Sequence, residues 1–198
     1  MSDQQRYVFT SESVSEGHPD KVCDYIADSV LDACFEQDTR SRVACEVLCK
    51  CGQVVLAGEI TTRATINYEQ IVRDAIRHIG YTDPAEAFNA DGVFISNFLT
   101  KQSPEIDNGV TETTSLVGEQ GAGDQGIMFV YATDETPELM PLSILLAHRL
   151  TAGLAEDRRS GKFSWIRPDS KSQVAVLYEG NTPKEVAQIL VSTQHARS

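Results

Sequence analysis

At 198 residues, 41% of them hydrophobic and 23% charged, the chain is long enough to bury the core of one large or two small domains and has a globular composition. Its 29 acidic residues against 17 basic ones leave a net charge of -12, which argues against a passive basic surface for nucleic acid. No run approaches the roughly eighteen consecutive apolar residues of a membrane span, and "MSDQQRYVF" lacks the basic-then-apolar plan of a secretory signal, so a cytoplasmic protein with no membrane partner is expected.

The stretch "RYVFTSESV" reads as a strand with Tyr7 and Phe9 on one face and Val8 on the other. A helix follows from Pro19 to Gln37. Val22, Ile26, Val30, Ala33 and Cys34 form its apolar stripe, while Asp24, Asp28, Asp32 and Glu36 run down a solvated face. "RVACEVLCK", "CGQ" and "VVLAGEITT" then make a hairpin with Gly52 at its turn. The five cysteines are odd in number and clustered, which does not suit a secreted disulfide frame. Cys45, Cys49 and Cys51 fall on one strand face by the period of two and are expected to act as small buried hydrophobes. No second Cys or His pair stands at zinc spacing from Cys49 and Cys51. Asn67 caps "YEQIVRDAIRHIG", with Gln70 in the third position and Gly80 as terminator, and "GVFISNFL" reads as a strand. The order strand, helix, hairpin, helix, strand predicts an α+β unit with helices on one face of a mixed or antiparallel sheet.

Between Lys101 and Gln125 the sequence is polar, Gly-containing and without hydrophobic period, as expected of a lid, a binding loop or a linker. It divides the chain into a first domain over 1–104, a loop over 105–118 and a second domain over 119–198. The second part reads as a strand "IMFVYAT" and a helix from Pro141 to Arg159 carrying Ile144, Leu145, His148, Leu150 and Leu154. The strands "SWIRPDSKSQVAVLYEG" and "VAQILVSTQH" follow, with "GNTP" between them. This repeats the opening of the first part in a different sequence but lacks its second helix. The expectation is two copies of one two-layer unit, the second incomplete.

"GHPDK" supports two readings. Pro19 suits the first helical position, so His18 stands at or beside the N-cap and Asp20 in the first turn, where a carboxylate favours the helix dipole. The same groups with Lys21 also suit a metal-bound phosphate chain at a helix start. Glu59 ends the face of Val55 and Ala57 with a carboxylate, and Glu46 does the same on the partner strand; each is either a strand face opening to solvent or part of a site. "GEQGAGDQG" lacks the Gly-Lys-Ser/Thr ending of a P-loop, so its glycines alone are a weak phosphate signal. In "RPDSK", Asp169 and Lys171 lie on one side of the chain if it is extended.

Together, "FTSESVSEGHPDK", "GEITT", "KQSPEI", "EQGAGDQG", "YATDET", "HRL", "RPDSKSQV" and "VSTQH", in this order over about residues 6 to 195, closely resemble the S-adenosylmethionine synthetase family. The resemblance implies that ATP and L-methionine are joined by attack of sulfur on C5′ of the ribose, with release and then cleavage of the triphosphate. By the same resemblance His18 and Lys171 are catalytic and, with Asp169 and Ser170, contact ATP; Glu59, Gln102 and Asp124 contact methionine; Asp20 binds Mg²⁺ and Glu46 is associated with K⁺. Ser170 stands where many relatives have Ala, and Gln102 opens the family's mobile loop. The family forms a homodimer or a dimer of dimers with its site between subunits. Family chains also run well beyond "STQH" through a third unit of the same architecture. The chain is therefore expected to be a truncated form carrying part of the site, or else a non-catalytic fragment that dimerises or binds nucleotide. An unrelated acidic phosphatase built on Asp20, Asp124 and Asp169 is disfavoured, because Glu59 and Gln102 would then have no role.

Overall fold

A computed structural model of the chain describes residues 5–101 and 127–196. Strand β1 (Arg6–Val14) leads into helix α1 (Pro19–Gln37), followed by β2 (Arg42–Lys50), β3 (Gln53–Thr61), α2 (Tyr68–Ile79) and β4 (Phe94–Thr100). Helix α3 (Leu142–Arg159) and the strands β5 (Ile166–Glu179) and β6 (Thr182–His195) complete an α+β fold. The strands form two sheets, ordered β2-β3-β4 and β1-β5-β6. Among the described residues no helix is long and apolar enough to cross a membrane.

Local chemistry accounts for the first layer. Helix α1 starts at Pro19 behind an extended His18 and buries Val22, Ile26, Val30 and Cys34, leaving Asp24, Asp28, Asp32 and Glu36 exposed. In α2 the Asn67 side chain accepts from the Gln70 N–H at 3.1 Å, and Gly80 ends the helix at a φ of 111°, which a side chain resists. The β2–β3 hairpin turns at Cys51 and Gly52, and β4 joins β3 in parallel, so this sheet is mixed. Its inner face packs Val54 and Leu56 against Val22 and Ile26 of α1 and Val72 and Ile76 of α2, which is the main core. Cys45 and Cys49 are half-buried on that face, and burial pushes the Cys45 thiol up to about 11. Cys51 does not share their burial: it occupies the turn at a φ of 52° and is exposed.

The second layer departs from the expected repeat in three ways. First, β1 does not join the sheet of the first part but pairs antiparallel with β5, Tyr7 opposite Tyr178 and Val14 opposite Lys171. On the face turned to α3, Ser11 and Ser13 meet polar groups of that helix: Ser11 Oγ lies 2.8 Å from Ser143 Oγ, and Ser13 Oγ lies 3.2 Å from Thr151 Oγ1 and 2.7 Å from His148 Nδ1. Second, the deeply buried stripe of α3 is Ser143, Ala147 and Thr151 rather than its larger residues, and His148 is exposed. Small side chains let the helix approach the sheet closely enough for Ser172 Oγ to donate to the Ala147 carbonyl at 2.7 Å. Leu142, Leu146 and Leu150 flank that line and close a smaller core over Val174, Val176 and Tyr178.

Third, "IMFVYAT" is not a strand. Residues 127–133 carry no regular structure, and the side chains of Ile127 to Tyr131 are exposed. A run of β-formers becomes a strand only beside a partner, and among the described residues no strand pairs with this segment. β6 itself begins at Thr182, four residues before the expected Val186, after a tight Gly180–Asn181 turn.

Candidate functional site

The two sheets meet where β1 hands over to α1. Ser15, the residue after β1, stays attached to β5: its N–H donates to the Ser170 carbonyl at 2.8 Å and its hydroxyl to the Pro168 carbonyl at 2.7 Å. The Ser170 N–H in turn donates to Ser15 Oγ at 2.7 Å. Gly17 lies so close to β5 that a Cβ there would stand 2.3 Å from the Pro168 carbonyl carbon. The Tyr81 hydroxyl, whose pKa burial pushes upward, donates to the Gly17 carbonyl at 2.5 Å. The chain therefore enters the helix with little freedom, and the next residue is His18.

His18 caps α1 through its ring. Nδ1 accepts from the Asp20 N–H at 3.2 Å and lies 3.8 Å from Asp20 Oδ2. An accepting Nδ1 puts the proton of a neutral imidazole on Nε2. The His18 side chain is 12% exposed and that of Asp20 88%, so the ring is sheltered while the carboxylate faces solvent.

Strand β5 supplies the other half. The alternation of a strand turns Pro168, Ser170 and Ser172 inward, all buried, and leaves Asp169 and Lys171 on the opposite side. Burial pushes the Asp169 carboxyl above its usual range, and the Lys171 ammonium, with His18 when its ring is protonated, pulls the other way. Its Oδ1 is buried without a hydrogen-bond partner, a costly condition that a ligand would relieve. Asp169 also lines a cleft of about 270 Å³ with Gly17, Pro19, Cys49, Tyr81 and Phe88. His18, Asp20, Asp169 and Lys171 thus gather at one junction. Ser170 lies between them but points inward, with its N–H and carbonyl both engaged by Ser15.

Glu46 and Glu59 lie elsewhere. Both are exposed on the outer face of the first sheet, away from α1 and α2. In the register Glu46 faces Ala57 and Glu59 faces Ala44, which makes the two carboxylates diagonal neighbours. Leu48, Phe94 and Phe98 share that face and are 61%, 64% and 65% exposed. Gln102 and Asp124 lie outside the described residues. Among the described residues no three His, Cys, Asp or Glu side chains are grouped to hold a metal ion by themselves.

Residues that sequence reasoning did not single out hold this junction in place. Glu16 accepts from Arg158 Nη2 at 2.5 Å and from Arg159 Nε and Nη2 at 3.0 and 2.6 Å. Burial alone would raise the Glu16 pKa, but the hydrogen bonds from Arg159 and Arg158 outweigh it and keep the carboxyl below its usual range. The one available signal was the Arg pair in the last turn of α3, where cations suit the helix dipole.

Comparison with known proteins agrees over nearly the whole chain. The family described as "S-adenosylmethionine synthetase, N-terminal domain" matches residues 6–104, and "S-adenosylmethionine synthetase, central domain" matches 119–198. An S-adenosylmethionine synthase of Sorangium cellulosum is 55% identical over 192 residues, covering 97% of this chain and 46% of the relative. One from Akkermansia muciniphila is 54% identical over 202 residues, covering 98% and 51%, and one from Desulfosudis oleivorans is 53% identical over 190 residues, covering 96% and 49%. The chain spans about half the length of the curated relatives it matches.

Proposed function

Because this chain belongs to the S-adenosylmethionine synthetase family, we propose that the junction between its two sheets binds ATP and that the protein makes S-adenosylmethionine from ATP and L-methionine. The observation that carries this reading is the gathering of His18, Asp20, Asp169 and Lys171 at one rigid junction, with a buried Asp169 oxygen left without a partner.

Attack of the methionine sulfur on C5′ is a displacement at carbon that needs alignment more than covalent help, and alignment can account for about 7–11 kcal/mol of a barrier. The remaining demand is the charge of the departing triphosphate. His18 meets part of it: with Nδ1 occupied by the Asp20 N–H, its Nε2–H is the end available to donate to the leaving oxygen. The exposed Lys171 ammonium offsets phosphate charge from the β5 side. Ser170 contributes by fixing the strand between Asp169 and Lys171, with its contact to ATP a further part of the proposal. Glu59, on the outer face, would hold the methionine ammonium toward the His18 and Lys171 junction of a second copy, with Gln102 and Asp124 completing that pocket.

The donor set suits Mg²⁺. This ion keeps several waters and takes one or two carboxylates beside substrate phosphates, which Asp20 and the unpaired Oδ1 of Asp169 can supply without a full protein cage. When bound, Mg²⁺ neutralises phosphate charge. Glu46 offers a hard oxygen donor for K⁺ on the outer face. That face, with Leu48, Phe94 and Phe98 around two carboxylates, is the surface on which a second copy would complete a homodimer or dimer of dimers in the cytoplasm. The test is chromatographic assay for the sulfonium product with ATP, L-methionine, Mg²⁺ and K⁺. Product that disappears in His18→Ala supports the full reading. Nucleotide binding without product supports the second reading, a dimerising or ATP-binding chain without turnover. Neither binding nor product contradicts both.

A further inference from the structure

We propose that Glu16, gripped by Arg158 and Arg159, is a positioning residue that sets the orientation of His18 and Asp20 from outside the ATP site. The inference rests on the proposed nucleotide role of those two residues and adds a device for holding them. Glu16 precedes Gly17 and His18 in the connection that starts α1. Its two carboxylate oxygens are shared among three guanidinium nitrogens, Arg158 Nη2 and Arg159 Nε on Oε1 and Arg159 Nη2 on Oε2. Such bonds between charged groups are short and directional. The side chains of Arg158 and Glu16 are 14% and 28% exposed, so this is not a solvent-screened surface pair.

The arginines are anchored in turn. Arg158 Nη2 donates to the Ile79 carbonyl at 2.7 Å, and Arg159 Nη2 reaches the His78 carbonyl at 3.4 Å, so both bond to the C-terminal end of α2. A Cβ on Gly80 would stand 2.4 Å from Arg158 Nη1, so the helix terminator also clears space for the guanidinium. Glu16 is thereby fixed to the ends of α2 and α3 at once. Ser15 and Gly17, its neighbours on either side, are fixed to β5 and Tyr81. Without Glu16 the turn keeps those latches but loses its charged tie to the two helices, and the sheltered His18 ring gains freedom to leave its bond with the Asp20 N–H. Glu16 touches neither substrate nor metal in this reading and acts through the turn alone.

Imidazole ¹⁵N NMR, with the His18 signals assigned by comparison with His18→Gln, reads the orientation directly. His148 and His195 serve as internal controls. Mg²⁺–ATP titration of the same proteins reads the consequence. In Glu16→Ala the His18 Nδ1 signal is expected to lose its hydrogen-bonded position while the controls stay, and affinity for Mg²⁺–ATP is expected to fall by about tenfold. Glu16→Gln, which keeps an oxygen for one arginine, should lie between wild type and Glu16→Ala. If Glu16→Ala does not fold, Glu16→Gln and the more exposed Arg159→Ala carry the comparison, with a smaller change in the same direction. An unchanged His18 signal overturns the proposal, as does a shifted signal with unchanged affinity. Wild-type protein that binds no ATP overturns the functional reading instead, while the His18 spectrum still decides whether Glu16 positions the turn.

Discussion

The junction at His18 and the outer face of the first sheet both carry carboxylates of the expected site, yet they are built in opposite ways. At the junction, Ser15, Glu16 and Gly17 are each bound to a different part of the fold: Ser15 to β5, Glu16 to α3, and Gly17 to Tyr81, two residues beyond α2. On the outer face, Glu46 and Glu59 stand exposed on a regular hairpin among exposed Leu48, Phe94 and Phe98. The junction is shaped before any ligand arrives. The outer face offers carboxylates and apolar surface with nothing among the described residues covering them, and it is the face proposed above to meet a second copy.

The contrast can be broken most severely at Gly17. Gly17→Ala drives a methyl group into the backbone of Pro168, so the turn must move off β5, at a cost of about 3 kcal/mol. Denaturant unfolding should register that loss together with loss of Mg²⁺–ATP binding. Ser15→Ala removes the donor to Pro168 and the acceptor for the Ser170 N–H, leaving buried backbone groups unpaired. It should cost about 1–2 kcal/mol by the same measurement.

A third, smaller effect is pH-dependent. Glu16 has a folded pKa below its unfolded value, so it contributes stability above the ordinary carboxyl range and loses it as pH falls through the lowered pKa. Glu16→Gln should therefore be less stable than wild type at neutral pH. The gap in thermal midpoint should narrow as the solution is made more acid than the ordinary glutamate range, and a gap that widens on acidification contradicts this assignment. The smallest effect belongs to the outer face. Leu48→Ser should change the stability of the isolated chain by no more than about 0.5 kcal/mol, since the side chain is already in water. It should nevertheless weaken self-association in a sizing measurement.

The same contrast explains what could be read from the residues alone. Helix α1 was legible because Pro19, the Val22–Ile26–Val30 stripe and the acidic outer row agree with one another, and the hairpin because Gly52 interrupts two runs of period two. His18, Asp20, Asp169 and Lys171 could be named from their motifs, and the fold brings them to one place. The partner of β1 was not legible. Periodicity identifies a strand but not its neighbour, and the partners of β1, β5 in the ladder and α3 through Ser11 and Ser13, lie more than a hundred positions away. The buried face of helix α3 was not legible, because Ser143, Ala147 and Thr151 have little hydrophobicity and act by allowing close approach. Cys51 was misread because a turn with positive φ overrides strand alternation. Glu16 escaped notice because its meaning lies in Arg158 and Arg159, at the far end of another helix.

The central claim is that the junction of β1, α1 and β5 is a site for a metal-bound triphosphate. Calorimetric titration of ATP into the wild-type protein and into Lys171→Ala, each with and without Mg²⁺, tests it most directly. The account predicts binding that requires Mg²⁺ and weakens by about tenfold or more when the Lys171 ammonium is removed. Binding that is indifferent to both Mg²⁺ and Lys171, or no binding by the wild-type protein, would contradict it.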